Sequence, residues 1–260
     1  MILVIDMGNT NITLGAYDGE RLVYEARLAT ARQRTAYQYA VEMIDIFRLN
    51  GSNASDYEGA ILCSVVPELT DIIANAVNKS TGKMPVILDS NTDTGLEIAI
   101  DTISEIGSDL IAACVGAKAK YKMPCLISDL GTATKIIVLN ENGAFRGCTI
   151  SPGMGISLRA LASETSQLPN IRFSAPSRTI GTNTVECMQS GIVFGTAAML
   201  DGLTERICDE MGYGECTMVV TGGYGRCIVT QCRKKMVFDE NLVLDGLAMI
   251  YYRNTENCNI

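Results

Sequence analysis

The sequence predicts an α/β fold of two like domains with mixed sheets flanked by helices, and three observations predict it. An apolar strand ending in an Asp-x-Gly-polar turn occurs twice, at Ile2-Leu3-Val4-Ile5 before Asp6-Met7-Gly8-Asn9 and at Cys125-Leu126-Ile127 before Ser128-Asp129-Leu130-Gly131-Thr132. After each copy come further strands and then alternating helices and strands, the order of an α/β domain. Finally, 260 residues with 47% hydrophobic and 19% charged side chains suffice for two well-buried domains.

In the first half, Ile2–Ile5 is apolar on both faces, as in a strand inside a sheet. Thr13–Tyr17 and Leu22–Leu28 read as strands joined at Asp18-Gly19, giving a meander. A helix is expected from Thr35 to Leu49, stopped by Asn50-Gly51. Gly59–Val66 is a buried strand, Pro67 opens a helix over 68–79, and Pro85–Leu88 is a further strand. A helix over Ser108–Tyr121 closes this half.

The second half repeats the plan. Cys125–Ile127, Thr134–Asn140 and Phe145–Ile150 form a second meander with a turn at Glu141-Asn142-Gly143. Helices are expected at 154–163, 184–209 and 241–253, and Met218–Thr221 is a strand running into Gly222-Gly223. The domains are placed at 1–118 and 119–260, with no Pro-rich, Ser-rich or charged linker between them.

Net charge is −8 and Arg233-Lys234-Lys235 is the one basic cluster, read as a surface turn. This argues against nonspecific binding to nucleic acid or anionic membranes. The chain starts directly on its first strand without a charged leader, and no apolar run approaches the roughly 18 residues of a membrane span. A cytoplasmic location is therefore expected. None of the ten cysteines forms a Cys-x-x-Cys pair. Cys63, Cys114, Cys125 and Cys148 lie in apolar stretches and read as reduced, packed thiols. With no histidine, a general base must be Asp, Glu, Lys, Tyr or Cys, and Ser-His-Asp hydrolysis is excluded.

The twin turns suggest phosphoryl transfer. Each Asp stands at a strand end, where it can reach a metal ion or other cation. Each Gly lets backbone N–H groups approach an anion, and Thr and Asn add neutral donors. Two such turns facing each other would hold the phosphates of one nucleotide. The plainer reading of Asp6 and Asp129 is an Asx turn, and that of Thr221-Gly222-Gly223 a simple turn. Asp109, after Gly107-Ser108, reads either as a helix-capping acid or as a base.

In order along the chain, Asp6–Asn11, Gly107-Ser108-Asp109, Asp129–Thr134, Ile150-Ser151-Pro152-Gly153, Thr165–Pro169, Asn183-Thr184, Gln189-Ser190-Gly191 and Thr221-Gly222-Gly223 resemble type III pantothenate kinase. That family lies in the acetate and sugar kinase/Hsp70/actin superfamily, and the resemblance covers nearly the whole chain. It implies two actin-like ATPase (ribonuclease H-like) domains and ATP-dependent phosphorylation of pantothenate to phosphopantothenate, the first step of coenzyme A biosynthesis. It further implies a homodimer with the substrate site at the interface, and a need for magnesium and for potassium or ammonium. By position, Asp6, Gly8, Asn9, Thr10, Asn11, Thr13, Gly131, Thr132 and Gly222 would contact ATP. Asp6 would orient magnesium, Asp129 would hold the monovalent cation and Asp109 would be the base. Ile100, Gly107, Ser108, Asp109, Leu110 and Thr184 would form the substrate side, Thr184 reaching across the dimer.

The chain departs from the family pattern mostly on that side. Leu110 stands where an Arg is usual, Ile100 where a Tyr is, Ile103 where a Pro is, and Thr182 where a Lys is. After Thr134 the family continues Thr-Phe-Asp, but this chain has Lys135-Ile136-Ile137. Lys135 is a candidate for a replacement positive charge, but alternation from Thr134 points it elsewhere, and the favoured reading is a surface or inter-domain lysine. The departures leave two other readings open: a kinase for another small hydroxylated acceptor, and a non-catalytic nucleotide-binding paralogue.

Overall fold

The computed structural model describes residues 1–102 and 105–256. The first half of the chain forms β1 (Ile2–Met7), β2 (Asn11–Asp18), β3 (Arg21–Ala29), α1 (Ala36–Leu49), β4 (Gly59–Ser64), α2 (Pro67–Thr81), β5 (Val86–Ile87) and α3 (Ser108–Lys120). The second forms β6 (Cys125–Leu130), β7 (Ala133–Leu139), β8 (Phe145–Pro152), α4 (Met154–Glu164), α5 (Thr184–Met211), β9 (Thr217–Thr221), α6 (Gly225–Val229), β10 (Val237–Phe238) and α7 (Leu242–Glu256). Among the described residues no helix is long and apolar enough to cross a membrane.

The chain divides into two compact units. One comprises Met1–Leu96, Asp101–Ala119 and the segment from Leu242 on; the other comprises Glu97–Ile100 and Lys120–Asn241. This differs from a single cut after residue 118. The reason is α7, which packs on α3 through two glycines. A Cβ at Gly246 would stand 1.9 Å from the Ala112 carbonyl oxygen, and one at Gly116 would stand 2.4 Å from that of Leu242. Only bare backbone permits so close an approach.

The first unit holds a five-stranded sheet in the order β3-β2-β1-β4-β5. β2 runs antiparallel to β1 and β3, and β4 runs parallel to β1 and β5. Because β1 is apolar from Ile2 to Ile5, it buries both faces there. Leu3, Ile5 and Met7 pack with Tyr39, Met43 and Phe47 of α1 and with Leu69 and Ile73 of α2. Ile2 and Val4 pack with Ala112 of α3 and with Leu244, Leu247 and Ile250 of α7. The helix ends follow local chemistry. Thr35 caps α1 in a reciprocal box with Gln38, Pro67 opens α2, and Gly82 closes α2 in the left-handed region.

The second unit repeats the strand plan as β10-β9-β6-β7-β8. β7 is antiparallel to β6 and β8, and β9 is parallel to β6 and β10. Leu126 and Leu130 of β6 pack with Val193, Ala197 and Leu200 of α5 and with Ile228 of α6. Glu97–Ile100 joins this unit by pairing with Phe145, whose N–H donates to the Glu97 carbonyl at 2.8 Å. Cys63, Cys114 and Cys125 are buried thiols, but Cys148 is exposed because β8 is an edge strand.

Candidate active site

Sheet register decides what surrounds Asp6. Its Cα partner on β2 is Thr13 and its partner on β4 is Cys63. Partners opposite one another share a face of the sheet, so Asp6, Thr13 and Cys63 lie side by side. The Cys63 thiol donates to Ser108 Oγ at 3.2 Å, and the Ser108 hydroxyl donates to the Ser64 carbonyl at 3.1 Å. These bonds tie the first residue of α3 to the end of β4 and bring Asp109 to the same place. Burial pushes the Cys63 thiol well above its ordinary pKa, and the negative charges of Asp6 and Asp109 push it further. Cys63 is thus a neutral thiol, not a nucleophile. Its surroundings are two carboxylates that converge at the carboxyl ends of two parallel strands, the usual ligand crevice of open α/β sheets.

Asp109 lies in the first turn of α3, where the helix dipole favours an anion. Its carboxylate accepts the Leu110 N–H at 2.9 Å. A Cβ at Gly107 would stand 2.4 Å from Asp109 Oδ1, so glycine there leaves room for that carboxylate orientation. Asp109 therefore supports its own helix start while sitting near Asp6; the capping and catalytic readings describe one placement. Leu110 is only 7% exposed. Ile103 lies outside the described residues.

The first turn is held from within its unit. Gly8 N–H donates to the Asn11 carbonyl at 2.9 Å, and the Thr30 hydroxyl donates to the Gly8 carbonyl at 2.7 Å. Asn9, Thr10 and Asn11 remain exposed. Two carboxylate oxygen donors beside exposed polar groups suit a hard cation that keeps waters and shares phosphate oxygens, as magnesium does. Among the described residues no cluster of three or more His, Cys, Asp or Glu side chains is placed to hold a metal ion, so an all-protein metal cage does not arise.

In the second unit the corresponding register places Lys135 and Thr221 beside Asp129. Lys135 Nζ lies 3.0 Å from Asp129 Oδ2, with the two side chains 15% and 18% exposed. Lys135 does point away from Thr134, but that direction is the face of Asp129, and the surface reading gives way to a largely buried ion pair. Two glycine motifs shape the turn above it. A Cβ at Gly153 would stand 2.2 Å from the Thr132 carbonyl oxygen. Gly222, with φ of +89°, would bring a Cβ within 2.7 Å of Leu130 backbone atoms. Ile150–Gly153 and Thr221–Gly223 thus let two backbones close on the Gly131-Thr132 turn.

Thr184 is the first residue of α5, after Asn183, whose side chain accepts the Glu186 N–H. Thr182 N–H donates to the Glu186 carboxylate at 3.1 Å, which helps hold that group below the usual carboxylate range. Thr184 lines a cleft of about 730 Å³ with Leu161, Leu168, Thr182 and Met188. Asp129, Gly131, Thr132, Gly222 and Ile100 belong to the same unit but do not line it. Concavity alone therefore does not locate the carboxylates. Sequence reasoning missed Cys63, Ser64 and the partner of Asp129, none of which carries a local motif.

Comparison with known proteins points to one family. A sequence model of type III pantothenate kinase matches residues 2–206. A type III pantothenate kinase from Exiguobacterium sibiricum is 41% identical over 98% of this chain and 100% of its own length. One from Halalkalibacterium halodurans is 38% identical over 98% of this chain and 100% of its own. Among solved structures, a Sinorhizobium meliloti protein assigned as a 2-dehydro-3-deoxygalactonokinase aligns with TM-score 0.59 at 14% identity, over 97% of this chain and 96% of that one. The ethanolamine utilization protein EutJ from Carboxydothermus hydrogenoformans aligns with TM-score 0.53 at 16% identity, over 95% and 89%. These structural likenesses concern the fold, and they agree with the expected pair of actin-like ATPase domains.

Proposed function

The chain belongs to the type III pantothenate kinase family, and on that premise we propose how its residues carry out ATP-dependent phosphorylation of pantothenate. The reaction yields phosphopantothenate and opens coenzyme A synthesis. The observation that carries the proposal is the placing of Asp6 beside Cys63 in the sheet, with the thiol hydrogen-bonded to Ser108, the residue before Asp109.

Phosphoryl transfer asks for positioning and charge neutralisation more than for covalent chemistry, so a site without histidine is sufficient. As the pantothenate hydroxyl oxygen attacks the terminal phosphorus, the bond from that phosphorus to ADP breaks, ADP leaving with the bonding pair, and Asp109 accepts the hydroxyl proton. Its bond from the Leu110 N–H fixes the carboxylate, and Gly107 keeps the space around it clear. Asp6 would hold magnesium, and the chemistry that ion would supply is charge neutralisation. Exposed Asn9, Thr10 and Asn11 offer donors to phosphate oxygens, with Gly8 and Thr13 completing that turn. Gly131, Thr132 and Gly222 contribute the contacts of the second turn. The neutral state of Cys63 spares Asp6 and Asp109 a third negative charge.

On the acceptor side, Gly107, Ser108, Leu110 and Ile100 are assigned to pantothenate. With Leu at 110, the proposed site would bind its acceptor without the cation usual at that position. The homodimer is also part of the proposal. Thr184 stands in its cleft near exposed Ile180 and Val185, apolar surface suited to a second copy.

The test is direct. Purified protein with Mg-ATP and pantothenate should release ADP in step with a product of the mass of phosphopantothenate. ADP release without that product, or no turnover despite ATP binding, would overturn the reading.

A further inference from the structure

We propose that Lys135 supplies, through its own side chain, the monovalent cation that Asp129 would otherwise take from solution. The proposal rests on the reading of Asp129 given above and concerns which positive charge it holds.

Four observations carry it. Asp129 and Lys135 are directly opposite in the antiparallel pair of β6 and β7, and so share a face. Lys135 Nζ is 3.0 Å from Asp129 Oδ2, a charge-assisted hydrogen-bond distance. Both side chains are more than four-fifths buried, so bulk ions screen the pair little. The equivalent place in the first unit, opposite Asp6, is a neutral Thr13. One turn thus carries a cation opposite its aspartate and the other does not.

The chemistry of the exchange is sound. A lysine ammonium has the charge of potassium and the N–H donors of an ammonium ion. It is tethered, so its occupancy does not depend on the salt in solution. A second univalent cation within about 4 Å would meet repulsion strong enough to weaken its binding by about a thousandfold at the effective dielectric of protein sites. The Asp129 site as built therefore does not fit a potassium ion.

The experiment compares wild type with Lys135→Thr and Lys135→Arg in choline chloride, with and without potassium or ammonium chloride. Phosphopantothenate formation by wild type should change by less than about twofold on adding potassium. Lys135→Thr should be slow in choline and recover by about tenfold or more with potassium or ammonium. Lys135→Arg should remain indifferent to potassium. Melting temperature supplies a readout apart from turnover: potassium should stabilise Lys135→Thr more than sodium does and leave wild type unmoved. If wild type makes no phosphopantothenate under any salt, the pantothenate reading fails while the melting data still judge Lys135. Potassium activation or potassium-specific stabilisation of wild type would overturn the proposal. So would a Lys135→Thr protein that folds but is unresponsive to potassium in both assays, since that marks the lysine as structural only.

Discussion

The Asp6 turn and the Asp129 turn share a frame and differ in charge. Each aspartate ends a central strand flanked by one antiparallel and one parallel neighbour. Across from Asp6 stand Thr13 and Cys63, both neutral; across from Asp129 stand Lys135 and Thr221. In the proposed reading the first carboxylate is left to attract a metal ion from solution, whereas the second already holds an ammonium. The pairing teaches that one backbone device serves two electrostatic purposes, with the choice made by the residue opposite the aspartate.

The largest expected effect comes from neutralising each aspartate in turn. Asp6→Asn should lower kcat by about 10²–10³-fold and raise the magnesium requirement, with little change in melting temperature. Asp129→Asn should instead remove the carboxylate paired with the largely buried Lys135 and cost roughly 3 kcal/mol of stability, read by denaturant unfolding. Equal stability losses in the two variants would break the comparison.

Next in size is Gly222→Ala. It forces a side chain into a left-handed backbone and against Leu130, and should cost about 2–3 kcal/mol in the unfolding free energy. Gly107→Ala probes the other unit, where the obstacle is the movable Asp109 carboxylate rather than backbone. It should lower kcat about tenfold while KM for ATP and the melting temperature stay near wild type. An unchanged kcat would show that the carboxylate orientation is unimportant.

The last effect belongs to the second unit and is expressed only at alkaline pH. Burial pushes the Cys125 thiol up to about 12, against about 8.5 in an unfolded chain. Above the unfolded value the unfolded state loses this proton and the folded state keeps it, so the thiol's contribution is complete at lower pH and declines as pH rises. Stability should fall by about 1.4 kcal/mol per pH unit for this group between roughly pH 8.5 and 12. Cys125→Ala should remove that share of the slope, measured by urea unfolding across pH.

Much of the site was legible because its signals are local. An apolar strand before Asp-x-Gly announces Asp6 and Asp129, and Gly107-Ser108-Asp109 announces a helix start. Pro67 and the Thr35–Gln38 box mark helix ends by capping chemistry alone. What stayed hidden depends on contacts distant in sequence. The place of α7 in the first unit depends on Gly246 meeting Ala112. β10 has two residues and too little alternation to register. Lys135 is instructive: alternation tells which neighbours it turns away from, but not that Asp129 lies opposite. That follows from turn length. The closing pair Met7–Ile12 encloses residues 8–11 in the first turn, whereas Leu130–Thr134 encloses only 131–133 in the second. A shift of one residue moves a side chain to the other face.

The most direct test of the account is the rate of phosphoryl transfer by Asp109→Asn in a single turnover, with ATP affinity measured on the same protein. The account predicts transfer slowed by about 10²–10⁴-fold with ATP affinity within about threefold of wild type, since the carboxylate accepts a proton and does not hold the nucleotide. Transfer at the wild-type rate would contradict it and remove Asp109 from the chemistry.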